Sequence, residues 1–394
     1  MKRKPTGKAA NPMRARDEKL LQKLAVYLNF HADAVTEADV RALADEFSLT
    51  NAQAFALLLA GALGLDAAEN EEDARIVRED FPRMLHPLDA AACANDPYAR
   101  ALRATASREQ NAPDSPTDAA TRSHASRAAL SREDISQTLH PRCAAADAGA
   151  PRESNADERR SASWTLLPQN AAADAGAPRE SNAGGHEDAS RTRRSRNTLG
   201  HENTSQAGAF ELGYASYRPY ELFVADDLRA YPDGAVLPVL GYFARPFAYP
   251  VLTENGREWM TATPNEINTI RPMAEAAHGR VLTLGLGLGY FAFHALLNPR
   301  VERVTAVERS ADAIRLFRER ILPAFPRPER LTILQADAFA AAPTLYRSGQ
   351  YDFVFADLWH DAADGLPMYE RLKHMEVPGP EYRYWIEKTL EFYR

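Results

Sequence analysis

The residues Val281–Phe291, V-L-T-L-G-L-G-L-G-Y-F, constrain this chain more than any other stretch. Val281, Leu282, Thr283 and Leu284 have strand character and run into Gly285, Gly287 and Gly289. The apolar run Tyr290–Leu297 then reads as a helix. Strand, tight turn and helix follow one another with nothing between. Glycine there permits a positive φ and lets a ligand lie against bare backbone. The helix that opens next presents unpaired N–H groups to something polar. The spacing is G-x-G-x-G, whereas the dinucleotide fingerprint is G-x-G-x-x-G.

The downstream segments repeat the alternation. Val301–Glu308 reads as a second strand ending in an acid, about twenty residues beyond the glycines, where a carboxylate can grip a ribose diol. Ala311–Leu322 has helical spacing, with Ile314, Leu316, Phe317 and Ile321 as its apolar face. Leu331–Phe339 is a third strand ending at Asp337, and Tyr351–Asp357 a fourth ending at Asp357. Strand and helix alternating at this interval predict a parallel sheet whose ligand edge lies at the strand C-termini.

These four strand-end motifs, in order, resemble the core of a class I S-adenosylmethionine-dependent methyltransferase. With the lead-in G-R-E-W-M-T-A-T-P-N-E-I (256–267), the stretch is similar to the spermidine-synthase-like branch of that superfamily. It is similar more closely to a group of bacterial methyltransferase-like proteins that carry D-L-W-H-D after the fourth strand. The resemblance spans roughly 210–394, and more loosely 15–103. It implies S-adenosylmethionine as cofactor. Gly285, Gly287 and Gly289 would lie along its methionine and ribose, and Glu308 would accept from the ribose hydroxyls. Asp337 would accept from the adenine amino group, with Ala338 and Phe339 near the ring. Asp357 would lie beside the transferred group.

Upstream, residues 15–103 read as a small helical region. Leu20, Leu21, Leu24, Tyr27 and Leu28 recur at helical spacing, and Thr36 with Asp39 forms the start of a second helix. Ala52–Leu63 is an apolar helix stopped by Gly64; it has no lysine or arginine to meet phosphates, which disfavours DNA as partner. Residues 104–207 lose their large aliphatics and carry an identical repeat, A-A-A-D-A-G-A-P-R-E-S-N-A, at 144–156 and 171–183. Such composition predicts a disordered low-complexity insertion. Growing a loop to about a hundred residues costs about 2–3 kcal/mol of closure entropy, which a fold can carry. The basic run Arg191–Arg196 inside it reads as a solvated segment. Residues 208–394 form the Rossmann-like α/β domain. It begins with short antiparallel strands over Tyr217–Val224 and Val236–Leu252, with Asn255-Gly256 as a hairpin turn. Thr263, Pro264 and Glu266 then make a capping box for a helix to Ala277. After Asp357 the segments Pro367–Met375 and Tyr382–Tyr393 read as helical. No fifth parallel strand is legible, so the sheet is expected to stop at four or be completed from upstream.

Composition excludes several classes. Net charge is −7, which does not suit a general nucleic-acid binder. Cys93 and Cys143 stand alone, with no C-x-x-C and no histidine cluster, so neither a zinc site nor a disulfide framework is expected. No apolar run suits a membrane span or signal peptide, and the expected location is cytoplasmic. Oligomeric state is not legible.

Asp357-Leu358-Trp359-His360-Asp361 brings two acids and an imidazole to the ligand edge. His360 has a pKa suited to taking a proton from an amine or hydroxyl, and Asp357 and Asp361 flank it as candidate catalytic groups. Trp359 could stack on a planar or cationic substrate, or fill the core. Glu266 could face the substrate, or serve its capping box alone. Spermidine synthases have D-x-x-D-P and G-G-x-D-G here, whereas this chain has D-x-x-x-D and neither the proline nor that glycine turn. The leading expectation is a methyltransferase for a small-molecule or protein acceptor. Aminopropyl transfer from decarboxylated S-adenosylmethionine and a non-catalytic binding module are the alternatives.

Overall fold

The computed structural model describes residues 15–110, 161–162 and 205–393. The 144–156 and 171–183 repeat and the Arg191–Arg196 run lie outside the described residues, as does most of the 104–207 stretch.

Three helices open the described chain: Ala15–Phe30 (α1), Glu37–Phe47 (α2) and Asn51–Ala62 (α3). The Thr36 hydroxyl accepts from the Asp39 N–H while Asp39 accepts from the Thr36 N–H, so the expected cap is a reciprocal one. Thr50 and Gln53 do the same for α3. Leu24, Tyr27, Val40, Phe55 and Leu59 meet in one buried cluster. The region is helical as expected, with one short strand within it. Leu85–Leu88 (β1) is that strand, and Pro97–Gln110 (α4) is the last helix of the region. Four residues around a proline carry too short a pattern to register as a strand. β1 forms through a distant partner.

The chain resumes in two antiparallel systems. Phe210–Tyr217 (β2), Phe223–Ala230 (β3), Val236–Phe243 (β4), Phe247–Glu254 (β5) and Arg257–Thr261 (β6) follow in order. β4 pairs antiparallel with β3 and parallel with β1, in the register Leu85↔Leu240 to Leu88↔Phe243. β5 pairs antiparallel with β2 on one side and β6 on the other. The β5–β6 hairpin turns at Asn255 and Gly256, whose φ values of 51° and 76° are those its tight turn requires. β4 joins two cores: Leu237, Leu240 and Tyr242 belong to the helical cluster, and Val239 and Phe243 to the larger one beneath the main sheet.

The remaining elements build that sheet. They are Pro264–Ala276 (α5), Gly279–Leu284 (β7), Tyr290–Leu297 (α6), Val301–Glu308 (β8) and Ala311–Leu316 (α7). Leu331–Gln335 (β9), Ala338–Arg347 (α8), Phe353–Ala356 (β10), Ala362–Lys373 (α9), Glu381–Tyr384 (β11) and Glu387–Tyr393 (α10) complete it. The order is β9-β8-β7-β10-β11, all parallel. This is a Rossmann-like α/β fold with the strand order reversing between β7 and β10. Ligands in such sheets sit at that reversal, beyond the strand C-termini. The expectation of a sheet ending at four strands is corrected: β11 is a fifth parallel strand. Its E-Y-R-Y sequence has little apolar run to announce it. Trp385 then donates its N–H to the Ala356 carbonyl, and Ile386 at φ 49° turns the chain into α10.

Asn298 closes the back of this sheet. Its side-chain amide donates to the carbonyls of Ala274, Glu275 and Ala277 at 2.8–3.1 Å, satisfying the C-terminal end of α5.

Candidate functional site

A cleft of about 480 Å³ lies over the C-terminal ends of β7, β8, β9 and β10. Its size is that of a small-ligand site. The hydrogen bonds that close the strand ends also set its floor: Gly285 N–H donates to Val307 O, Ala336 N–H to Glu308 O and Asp357 N–H to Leu284 O.

The three glycines do three different things. A Cβ on Gly285, at φ 96°, would stand 2.1 Å from the Asp357 carbonyl oxygen. That glycine is required by the crossing of the β10 end. A Cβ on Gly289, at φ 76°, would meet the rings of Phe317 and Phe325. Gly289 packs beneath α6 and is not among the cleft-lining residues. Only the Cβ position of Gly287, at φ 50°, is filled by something mobile, the Met260 sulfur at 2.0 Å. The same sulfur accepts the Leu288 N–H at 3.0 Å. Gly287 is thus the place where a ligand could lie against bare backbone once a flexible thioether moves aside.

Glu308 is buried at the end of β8, with one carboxylate oxygen accepting from Ser310 N–H at 2.9 Å. Among the described residues the other oxygen has no hydrogen-bond partner, so an acceptor remains for a ligand. Asp337 lines the cleft beside Ala338 and Phe339. It also caps α8, accepting from Ala340 N–H at 2.9 Å. The Trp359 indole lines the cleft wall against Gly365 of α9, and its buried N–H has no hydrogen-bond partner among the described residues.

Two carboxyl groups lie on the cleft floor. Burial pushes the Asp357 carboxyl up from 3.8 to about 7, while nearby His360 pulls it down by less. Burial likewise raises Glu266 from 4.5 to about 8, against hydrogen bonds that favour its ionised form. Those bonds come from the Thr261 hydroxyl at 2.6 Å and the Thr261 and Thr263 N–H groups. Glu266 therefore both closes its capping box and lines the cleft.

At the mouth, His360 Nδ1 lies 3.2 Å from Asp364, which raises the imidazole pKa. His360 meets Trp259 edge-on at 5.4 Å, and the Arg309 guanidinium lies over the same indole at 5.6 Å. Asp361 sits differently from its neighbours. It does not line the cleft but caps α9, accepting from the Ala363 and Asp364 N–H groups. Asp364 reciprocates and faces the cleft in its place. Sequence reasoning missed Asp364, although an acid three residues past Asp361 is the signature of a reciprocal cap. It also missed Glu258, Trp259, Met260, Arg309 and Trp385, all of which line the cleft. The first three lie on β6, inside the 256–267 lead-in.

No family profile matches this sequence. No curated protein matches it. Solved structures similar to it include the spermidine synthase of Thermotoga maritima, at 14% identity and a TM-score of 0.27, covering 46% of this chain and 55% of that one. A probable spermidine synthase from Corynebacterium glutamicum matches at 18% and 0.30, covering 47% and 64%. A spermidine synthase in complex with the transition-state analogue AdoDATO matches at 16% and 0.24, covering 40% and 46%. In each case the match spans less than two thirds of the solved chain. Among the described residues no three side chains form a metal-ligand group, and no helix is long and apolar enough to cross a membrane.

Proposed function

We propose that the cleft binds an S-adenosyl sulfonium, S-adenosylmethionine or its decarboxylated form, and transfers a carbon group from it to an amine. The observation that supports this reading is the charge of the lining. Glu258, Glu266, Glu308, Asp337, Asp357 and Asp364 face the cleft, against Arg309 and His360. Buried carboxyls with raised pKa values are stabilised in their ionised form by a cation, so the cleft suits a cationic donor and a cationic acceptor.

The sulfonium, when bound, supplies the electrophilic carbon. The residues supply the rest. Glu308 holds the ribose diol with its spare oxygen. Asp337, Ala338 and Phe339 hold the adenine end, and the Gly285–Gly287 backbone lies along the chain on sulfur. Asp357, with a pKa near 7, takes the proton that an ammonium acceptor must lose before it attacks. Glu266 and the His360–Asp364 pair orient that ammonium. The floor contributes alignment and exclusion of water.

Methyl transfer is the reading of the strand-end motifs. A second reading, aminopropyl transfer from the decarboxylated donor, is favoured by one observation. Six carboxyl groups line the cleft against Arg309 and His360, a balance that suits a donor lacking the α-carboxylate of S-adenosylmethionine. Calorimetric titration of the full chain separates the two. Tighter binding of S-adenosylmethionine and its demethylated product supports methyl transfer, and tighter binding of the decarboxylated form supports aminopropyl transfer. If none of the three binds at micromolar concentration, both readings fall and a non-catalytic interaction module takes their place.

A further inference from the structure

Behind the glycine turn lies a buried polar cluster that the proposed chemistry does not use. Tyr98, at the start of α4, is fully buried. Its hydroxyl donates to the Leu288 carbonyl, between Gly287 and Gly289. Its ring stands edge-on to Tyr290 at 5.4 Å and to Phe293 at 5.3 Å, both on α6. The two peptides that flank Leu288 are thus each held, the carbonyl of the Leu288–Gly289 peptide by Tyr98 and the N–H of the Gly287–Leu288 peptide by Met260.

Two residues earlier, Asp96 is also buried. It caps α4, accepting from the Tyr98 N–H at 2.9 Å and the Ala99 N–H at 3.2 Å. It further accepts from the Arg271 guanidinium and from the Tyr290 hydroxyl. The His294 Nε2 lies 3.6 Å away. Burial would raise the Asp96 carboxyl, but His294 and Arg271 outweigh it and hold it at about 2. Arg271 belongs to α5, whose first turn carries Glu266. Tyr290 and His294 belong to α6, which opens from the glycine turn.

We propose that Tyr98 and Asp96 are positioning residues for the donor site. Tyr98 fixes the plane of the Leu288–Gly289 peptide, and Asp96 locks the two helices that carry Glu266 and the glycine turn into one register. The inference rests on the reading that this turn binds the donor. The physical reason is preorganisation. A turn held at positive φ on either side of Leu288 has other peptide orientations open to it. Selecting one before binding removes that cost from the affinity. The glycine turn alone does not provide this selection; a segment from the far side of the chain does.

The test uses the full chain with Tyr98→Phe, which keeps the ring and its edge contacts, and Asp96→Asn, which keeps the volume and removes the charge. Two readouts are taken: the Kd for S-adenosylhomocysteine and amide hydrogen exchange of residues 264–297, with β8 and β10 as reference. Tyr98→Phe is expected to weaken binding about tenfold, the scale of a lost buried hydrogen bond, and to speed exchange in the turn while exchange in β8 and β10 stays unchanged. Asp96→Asn is expected to loosen the first turns of α5 and α6 together. If either variant lowers global stability but leaves the Kd and the local exchange of the turn at wild-type values, the residues are only structural and the inference is overturned. If the wild-type chain binds no sulfonium nucleoside or its product, the donor-site reading falls. The exchange readout then still decides whether Tyr98 orders the turn.

Discussion

The Asp357 carboxyl offers the sharpest test of the cleft's electrostatics. It is a carboxyl on a half-buried floor, raised from 3.8 to about 7 by burial. Each pH unit of displacement corresponds to about 1.4 kcal/mol, so the whole displacement is worth about 4 kcal/mol. The cleft opens to solvent, and screening reduces this to about 2 kcal/mol. The sign follows from proton binding. Between pH 4 and 7 the folded chain holds a proton at this site that the unfolded chain has lost. The contribution is fully present below pH 4 and is lost as the pH rises towards 7. Asp357→Asn cannot ionise and escapes that loss. It should match the wild type at pH 4 and exceed it by about 2 kcal/mol at pH 8, or about 4 °C or more in Tm. Thermal melts of both proteins without ligand, from pH 4 to 8, make the measurement. Parallel Tm curves across that range would refute the reasoning, since they would mean that Asp357 ionises as freely as an exposed carboxyl.

Three further outcomes are expected. Glu308→Ala should weaken binding of S-adenosylmethionine 10- to 100-fold in calorimetry, the range for losing a hydrogen bond to a charged acceptor, with Tm changed by only a few degrees. Asp361→Ala should cost about 1 kcal/mol in denaturant unfolding, as loss of a helix cap, and leave donor affinity unchanged; a large affinity loss would return Asp361 to the site. Asn298→Ala strips one amide from three carbonyls at the end of α5 and should cost about 2–3 kcal/mol in the same unfolding assay, against less than 1 for an exposed substitution.

The sequence made the sheet's centre legible because β7 and β10 carry short, nearly continuous apolar runs that suit a sheet covered on both faces. It announced Glu266, Glu308, Asp337 and Asp357 because an acid at a strand end or a capping position stands out against such runs. It did not announce β1 or β11. L-H-P-L and E-Y-R-Y hold too few apolar residues to show a period, and both are strands only because a long-range partner offers its edge. The roles of the glycines were legible as a group but not singly. Whether each meets a ligand, a crossing strand or an aromatic ring depends on Asp357, Met260, Phe317 and Phe325, which lie elsewhere in the chain. Asp361 and Asp364 show the same limit at short range. Three residues apart, they divide capping from cleft-lining according to how α9 begins.

The pairing of β1 with β4 and the contact of Tyr98 with Leu288 bind residues before 110 to residues after 205 across a buried apolar surface and a parallel strand ladder. Such an interface has the character of one between subunits. The covalent connection between its halves acts through effective concentration, making their meeting intramolecular.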